Sequence, residues 1–174
     1  TANAFDFGDI VSAAQYGGGG LASPTRGIIH IAYNGSTTNT IEFCTISTTG
    51  SFQDFGDATT TLNNVRSGTG GSSTRGVSMG GGDSYTDVCS FLTIATTGNT
   101  TEFGELPTGK SYSTAVSDRI TCMMAGGQLA PGGTVTNQID SLSIATGGTA
   151  VDSGDLTVTK RENSAASNAH GGLG

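Results

Sequence analysis

Thr45-Ile46-Ser47-Thr48-Thr49-Gly50, Thr93-Ile94-Ala95-Thr96-Thr97-Gly98 and Ser143-Ile144-Ala145-Thr146-Gly147-Gly148 are three versions of one segment, spaced 48 and 50 residues apart. Each is followed by an acid-flanked motif: Asp54-Phe55-Gly56-Asp57, Glu102-Phe103-Gly104-Glu105 and Asp152-Ser153-Gly154-Asp155. A further copy, Asp6-Phe7-Gly8-Asp9, opens the chain. Each Thr-Ile segment is also preceded by a related run, namely Asn39–Phe43, Asp87–Phe91 and Asn137–Ser141. Upstream of those stand Arg26-Gly27-Ile28-Ile29, Arg75-Gly76-Val77-Ser78-Met79 and Arg119-Ile120-Thr121-Cys122-Met123-Met124. The second and third of these run into Gly81-Gly82 and Gly126-Gly127, and Asn34-Gly35 takes that place in the first. Self-similarity at a fixed period of this length marks a repeat architecture.

Length differences between the copies fall where connections belong, including an insertion in the third copy from Gln128 to Thr136. Indels concentrate in surface loops, so the constant parts are the strands. Four strands per unit follow, placed in the first unit near Val11–Tyr16, Arg26–Ala32, Thr40–Ser47 and Phe52–Thr59. The third has the best strand chemistry, β-branched and aromatic residues bounded by turn formers. Its apolar positions (Ile41, Phe43, Cys44, Ile46) do not alternate, as expected for a strand buried on both faces. The prediction is an all-β chain, a single repeat array over residues 1–174 with units at 11–59, 60–106 and 107–158. Partial strands precede and follow them at 1–10 and 159–174.

Composition agrees. Gly (29), Thr (28) and Ser (19) fill close to half of the 174 positions, and charged residues only 12 %. Long helices would need Ala, Glu, Lys and Leu instead, and no apolar run approaches the roughly 18 residues of a membrane helix. Disorder would pair low hydrophobicity with high charge, whereas 34 % of this chain is hydrophobic. A net charge of −7 argues against nucleic acid, whose affinity for proteins comes from Lys and Arg on phosphates. Cys44, Cys89 and Cys122 are odd in number and sit in apolar runs, where a thiol behaves as a small hydrophobe.

A period near 50 with four strands per unit is that of a β-propeller blade of kelch size. Arg66, Gly81-Gly82, Phe91, Phe103 and Leu106 make the second unit resemble a kelch repeat, although the kelch Trp and second-strand Tyr are missing. The joined pattern is more similar still to kelch-like repeat proteins encoded by tailed phages of marine bacteria, cyanophages in particular. It runs from Asn39 through Thr45–Gly50 to Asp54–Asp57, and Asn163–Gly174 reads in the same manner. That resemblance implies a non-enzymatic virion structural protein such as a fibre, appendage or decoration component, located on the extracellular particle. Its partners would be other virion proteins or copies of itself, with no membrane insertion. Closed propellers need about four to eight blades, so three units predict either an excerpt of a longer array or copies that assemble. An open β-solenoid or trimeric β-prism fibre is the alternative packing.

No catalytic constellation is legible. Asp-Phe-Gly also occurs as a kinase metal-binding triplet, but here it recurs on the repeat period without the other kinase motifs. Its Phe is expected to pack between sheets and its Gly to permit a bulge, while the acids cap turns or pair with the repeated Arg. Gly17–Gly20 reads as a loop, since no Lys-Ser/Thr or helix follows it. His30, inside an apolar strand, is expected to be a satisfied, partly buried histidine, and His170 is assigned to no role. Asp83 and Asp87 flank a loop that would suit calcium only with denser acids around it. No cofactor is expected, and no metal, catalytic or cofactor-binding residue is assigned. A module reading surface glycans or a receptor is the alternative function, with Tyr16, Tyr85 and Tyr112 near loops as its aromatic platforms.

Overall fold

The computed structural model describes residues 3–4, 6–12, 16–33, 35–36, 38–59, 68–82 and 84–167. They are all-β, in three successive four-stranded antiparallel meanders and one small sheet, and among them no closed barrel or propeller forms. The first sheet comprises β1 (Tyr16–Ala22), β2 (Arg26–Tyr33), β3 (Thr40–Thr45) and β4 (Gln53–Asp57). The second comprises β5 (Gly68–Gly71), β6 (Arg75–Gly81), β7 (Thr86–Thr93) and β8 (Thr101–Glu105). The third comprises β10 (Thr114–Ser117), β11 (Thr121–Ala125), β14 (Gln138–Ser143) and β16 (Val151–Asp155). The insertion of the third unit folds back as β12 (Gln128–Leu129) and β13 (Thr134–Val135), which pair with each other and with β9 (Lys110–Ser111). A two-residue strand, β15 (Gly148–Thr149), lies parallel to β8.

The first strand of the first unit begins at Tyr16, later than its sequence suggests, and contains Gly17–Gly20, which is therefore strand and not loop. The reason is packing. The first strands of the three sheets lie against one another, and a Cβ on Gly19 would overlap the side chain of Thr69, while one on Gly68 would sit 2.9 Å from the Ala115 Cβ. Glycine permits that close backbone approach. The remaining strands of the unit form within one or two residues of their expected bounds.

Register also moves two of the sequence alignments. Ser23, Ser72 and Asp118 close the same turn, their N–H groups donating to the carbonyls of Arg26, Arg75 and Thr121. Thr121 thus holds the position of the two arginines, and Arg119 stands exposed in the turn before it. Asp118 explains the slip: its Oδ1 accepts from Ile120 N at 2.8 Å and Thr121 N at 2.7 Å, the job done by Ser23 and Ser72 in the other turns. By the same register Gly80, not Gly81, is the counterpart of Gly126. A Cβ on either would lie 2.6 Å from a carbonyl oxygen, that of Lys110 or of Lys160.

Two apolar layers hold the sheets together. Ile28, Ile41, Phe43 and Phe55 of the first sheet meet Leu92 and Ile94 of the second. Val77, Met79, Cys89 and Leu106 of the second meet Cys122, Met124, Leu142 and Ile144 of the third. The middle sheet accordingly has one face toward the third sheet and one toward the first. In the middle sheet β7 is buried on both faces. In the first, Ile46 just beyond β3 is 45 % exposed, because no sheet among the described residues lies over it.

Candidate functional site

The repeated motifs converge on the contacts between sheets. Gly50 N donates to Phe7 O at 2.8 Å, and Gly98 N to Phe55 O at 2.7 Å. Phe52 N, Thr100 N and Ala150 N donate in turn to the carbonyls of Asp9, Asp57 and Glu105, each at 2.8 Å. One main-chain stitch is therefore made three times, from the motifs at Asp6–Asp9, Asp54–Asp57 and Glu102–Glu105 onto the Thr-Ile loop of the next sheet. β15 beside β8 is its third instance. Asp6, Asp54 and Asp152 each accept the N–H of the glycine two residues on, at 3.0–3.2 Å, which shapes the bulge. Asp6, Asp54 and Asp152 thus take a capping role, the first of the two expected for the acids. The glycine is demanded sterically: a Cβ on Gly8, Gly56 or Gly104 would overlap backbone at Gly50, Gly98 or Gly148. Around Gly154 there is open space, since no loop among the described residues lies against it.

Deeper in the interface the arginines make the second tie. Arg26 lies 4.6 Å from the Phe43 ring centroid and donates to Ile94 O of the next sheet at 2.9 Å. Arg75 lies 4.1 Å from Phe91 and donates to the carbonyls of Ile144 and Ala145 at 2.8 Å. Each arginine covers an edge-on aromatic pair, Phe43–Phe55 at 5.9 Å or Phe91–Phe103 at 5.1 Å between centroids. The third sheet replaces this trio with Thr121, Ser141 and Ser153, the two serines hydrogen-bonded to one another. Phe does pack between sheets, as its place in the motif implies.

A third tie was not legible. Lys110, in the connection between the second and third sheets, is fully buried against Asp140 of β14, forms an ion pair with it and donates to Gln138 O at 3.3 Å. Asp140 holds the register position of Glu42, whose two carboxylate oxygens accept Val11 N and Ser12 N at 2.9 Å. The signal available in sequence was the shared spacing of Leu106 to Lys110 and Leu156 to Lys160.

The other candidates fall as follows. His30 is buried more deeply than expected, 2 % exposed, and neither ring nitrogen has a hydrogen-bond partner among the described residues. It is not a satisfied histidine, because β2 places it on the face of Ile28 and directly across from Ile41; burial lowers its pKa from 6.5 to about 4. Burial likewise pushes the Cys89 and Cys122 thiols up to about 12, and Cys44 is half-buried. Tyr85 and Tyr112 come together, 6.3 Å between centroids, with Tyr85 Oη near Gln128 Oε1 at 3.4 Å. Both have positive φ, 53° and 60°. Asp87 is exposed, and among the described residues no three His, Cys, Asp or Glu side chains cluster as metal ligands would. Arg66, Asp83 and His170 lie outside the described residues. No family model matches the chain, and no curated protein is significantly similar to it.

Proposed function

We propose that this chain is a non-enzymatic structural protein of a virion, a fibre, appendage or decoration component of a tailed phage, whose meanders are kelch-like propeller blades. The observation that carries this reading is the main-chain stitch made identically by three successive motifs. Among the groups that could carry chemistry, Asp6, Asp54 and Asp152 are occupied in capping bulges, and Arg26 and Arg75 in joining sheets. A residue that serves the same contact in each unit is doing a structural job, whereas a catalytic site gathers unlike groups in one cleft. The resemblance to phage kelch-like repeats supplies the location on the particle, and other virion proteins or copies of the chain are the partners.

The test is mass spectrometry and immunogold labelling of gradient-purified particles from a phage encoding the chain. Peptides at a fixed ratio to the major capsid protein, with gold at one part of the particle, are the expected result. Presence in infected-cell lysate with absence from particles would overturn the reading. Recognition of a host glycan or receptor is the second reading, favoured by one observation: Tyr85 and Tyr112, apart in sequence, form one aromatic pair beside the inserted β12–β13 hairpin. Loss of host adsorption on Tyr85→Ala or Tyr112→Ala, with unchanged particle assembly, would support it.

A further inference from the structure

The face of the first sheet that looks away from the second is built like a face that another sheet covers. Cys44 and Ile46 stand where Leu92 and Ile94 stand in the second sheet and Leu142 and Ile144 in the third. Ile94 and Ile144 are 2 % and 3 % exposed, and Ile46 is 45 % exposed. Part of the missing cover is already seated. The Asp6–Asp9 segment makes the stitch to Gly50 and Phe52 that a preceding sheet's fourth strand would make. Phe7 of that segment, in the place of Phe55 and Phe103, is 37 % exposed, and among the described residues no second Phe or Arg completes its trio. Inward of this face, a cavity of about 440 Å³ is bounded by Ile29 and Phe52 of the first sheet, Ala115 and Val116 of the third, and Ala165–Ser167.

We infer that this face is a docking site for a β-hairpin of the repeat's own type, its first strand carrying Arg and its second carrying Phe. The hairpin inserts beside Asp6–Asp9. Its Phe pairs with Phe7, its guanidinium lies over that pair and donates to Ile46 O, and its apolar face covers Ile29, Cys44 and Ile46. The geometry is that by which Arg26 reaches Ile94 O and Arg75 reaches Ile144 O. The site is directional. The outer face of the third sheet has Thr121, Ser141 and Ser153 at the Arg and Phe positions, so the third unit offers neither the cation nor the rings of this contact. The hairpin thus comes from a unit resembling the first or second and not the third. The inference rests on the scaffold reading only in requiring that such a unit be present in the particle.

A copy of residues 68–96 joined directly to Thr1 preserves the spacing of Phe91 from Phe103 and turns Asp6–Asp9 into the fourth strand of a complete added sheet. Three readouts apply: the thermal midpoint, the alkylation rate of Cys44 by peptide mapping, and amide exchange at Gly50 and Phe52. Protection of Cys44 by about tenfold or more over the parent chain, with a raised midpoint, is expected. The same copy bearing Arg75→Thr and Phe91→Ser, the residues of the third unit, is expected to give neither. Equal Cys44 rates in parent and extended chain, or equal protection by the substituted copy, would overturn the inference. Exchange at Gly98 and Thr100 reports in the same samples that the parent sheets are intact. If the extension disturbs them, a synthetic peptide of residues 72–96 added to the unaltered chain decides by the same Cys44 readout. None of these outcomes depends on where the protein resides, so failure here is separate from failure of the particle labelling.

Discussion

Glycine in the acid-flanked motif shows how one residue carries an interface. Gly56 has φ of +141°, and a Cβ there would come within 2.5 Å of the Gly98 carbonyl carbon; Gly154 has φ of +127° but open space around it. Substitution at either stores backbone strain of about 1–3 kcal/mol, and at Gly56 overpacking adds about 1–3 kcal/mol. Urea unfolding of Gly56→Ala and Gly154→Ala is expected to show the larger loss at Gly56 by that second amount. His30 makes the second prediction. Its pKa is about 4 when folded against 6.5 as the ordinary value, so below pH 6.5 the unfolded chain binds a proton that the native state refuses. Stability therefore falls as pH drops from about 6.5 to about 4 and levels off below, a loss of roughly 3 kcal/mol from this group. Met79 occupies the same register position in the second sheet. Unfolding curves of His30→Met across that pH range are expected to be flatter than those of the parent, and an unchanged slope would discard the assignment.

At the scale of elements, Ile46, Ile94 and Ile144 offer one position in three environments. Ile94 and Ile144 each lie under the preceding sheet, so truncation to Ala is expected to cost about 2–5 kcal/mol, while exposed Ile46→Ala stays within about 0.5 kcal/mol. Equilibrium denaturation of the three variants measures this, and a large loss at Ile46 would mean that the first face is already covered. Strand placement shows why some elements were readable and one was not. β2 and β3 have β-branched and aromatic residues between turn formers, so local chemistry suffices to place them, and β4 is placed by its repeated acid-flanked motif. β1 is largely glycine, with weak intrinsic preference for a strand. It is extended because β5 packs against it, a contact about 50 residues away in the chain.

In the whole molecule the sheets are coupled chiefly to their nearest neighbours, so a break at one interface should loosen one unit. Lys110→Ala leaves Asp140 buried without its cation, a change of the kind that costs about 3–5 kcal/mol. Differential scanning calorimetry of this variant is expected to show a broadened transition, with a van't Hoff enthalpy below the calorimetric one, as the third sheet melts ahead of the others. The candidate site was half legible on the same principle. The acid-flanked motifs and repeated arginines announced themselves by period, and the expectation that Phe packs between sheets followed from their chemistry. The Lys110–Asp140 pair did not, because its members lie 30 residues apart with no repeat-period signal joining them, and Ser90 stands at the Asp140 position in the second sheet.

From its amino-acid order alone this chain is a β-repeat of about 50 residues with four strands per unit, since the period and the turn formers bounding each strand are read directly along the chain. Only tertiary structure decided that Thr121 and not Arg119 holds the arginine position, that Gly17–Gly20 is a strand, and that the first sheet retains an uncovered apolar face. Each depends on which backbone lies alongside which, and that is set by hydrogen-bond register and close packing between residues far apart in sequence.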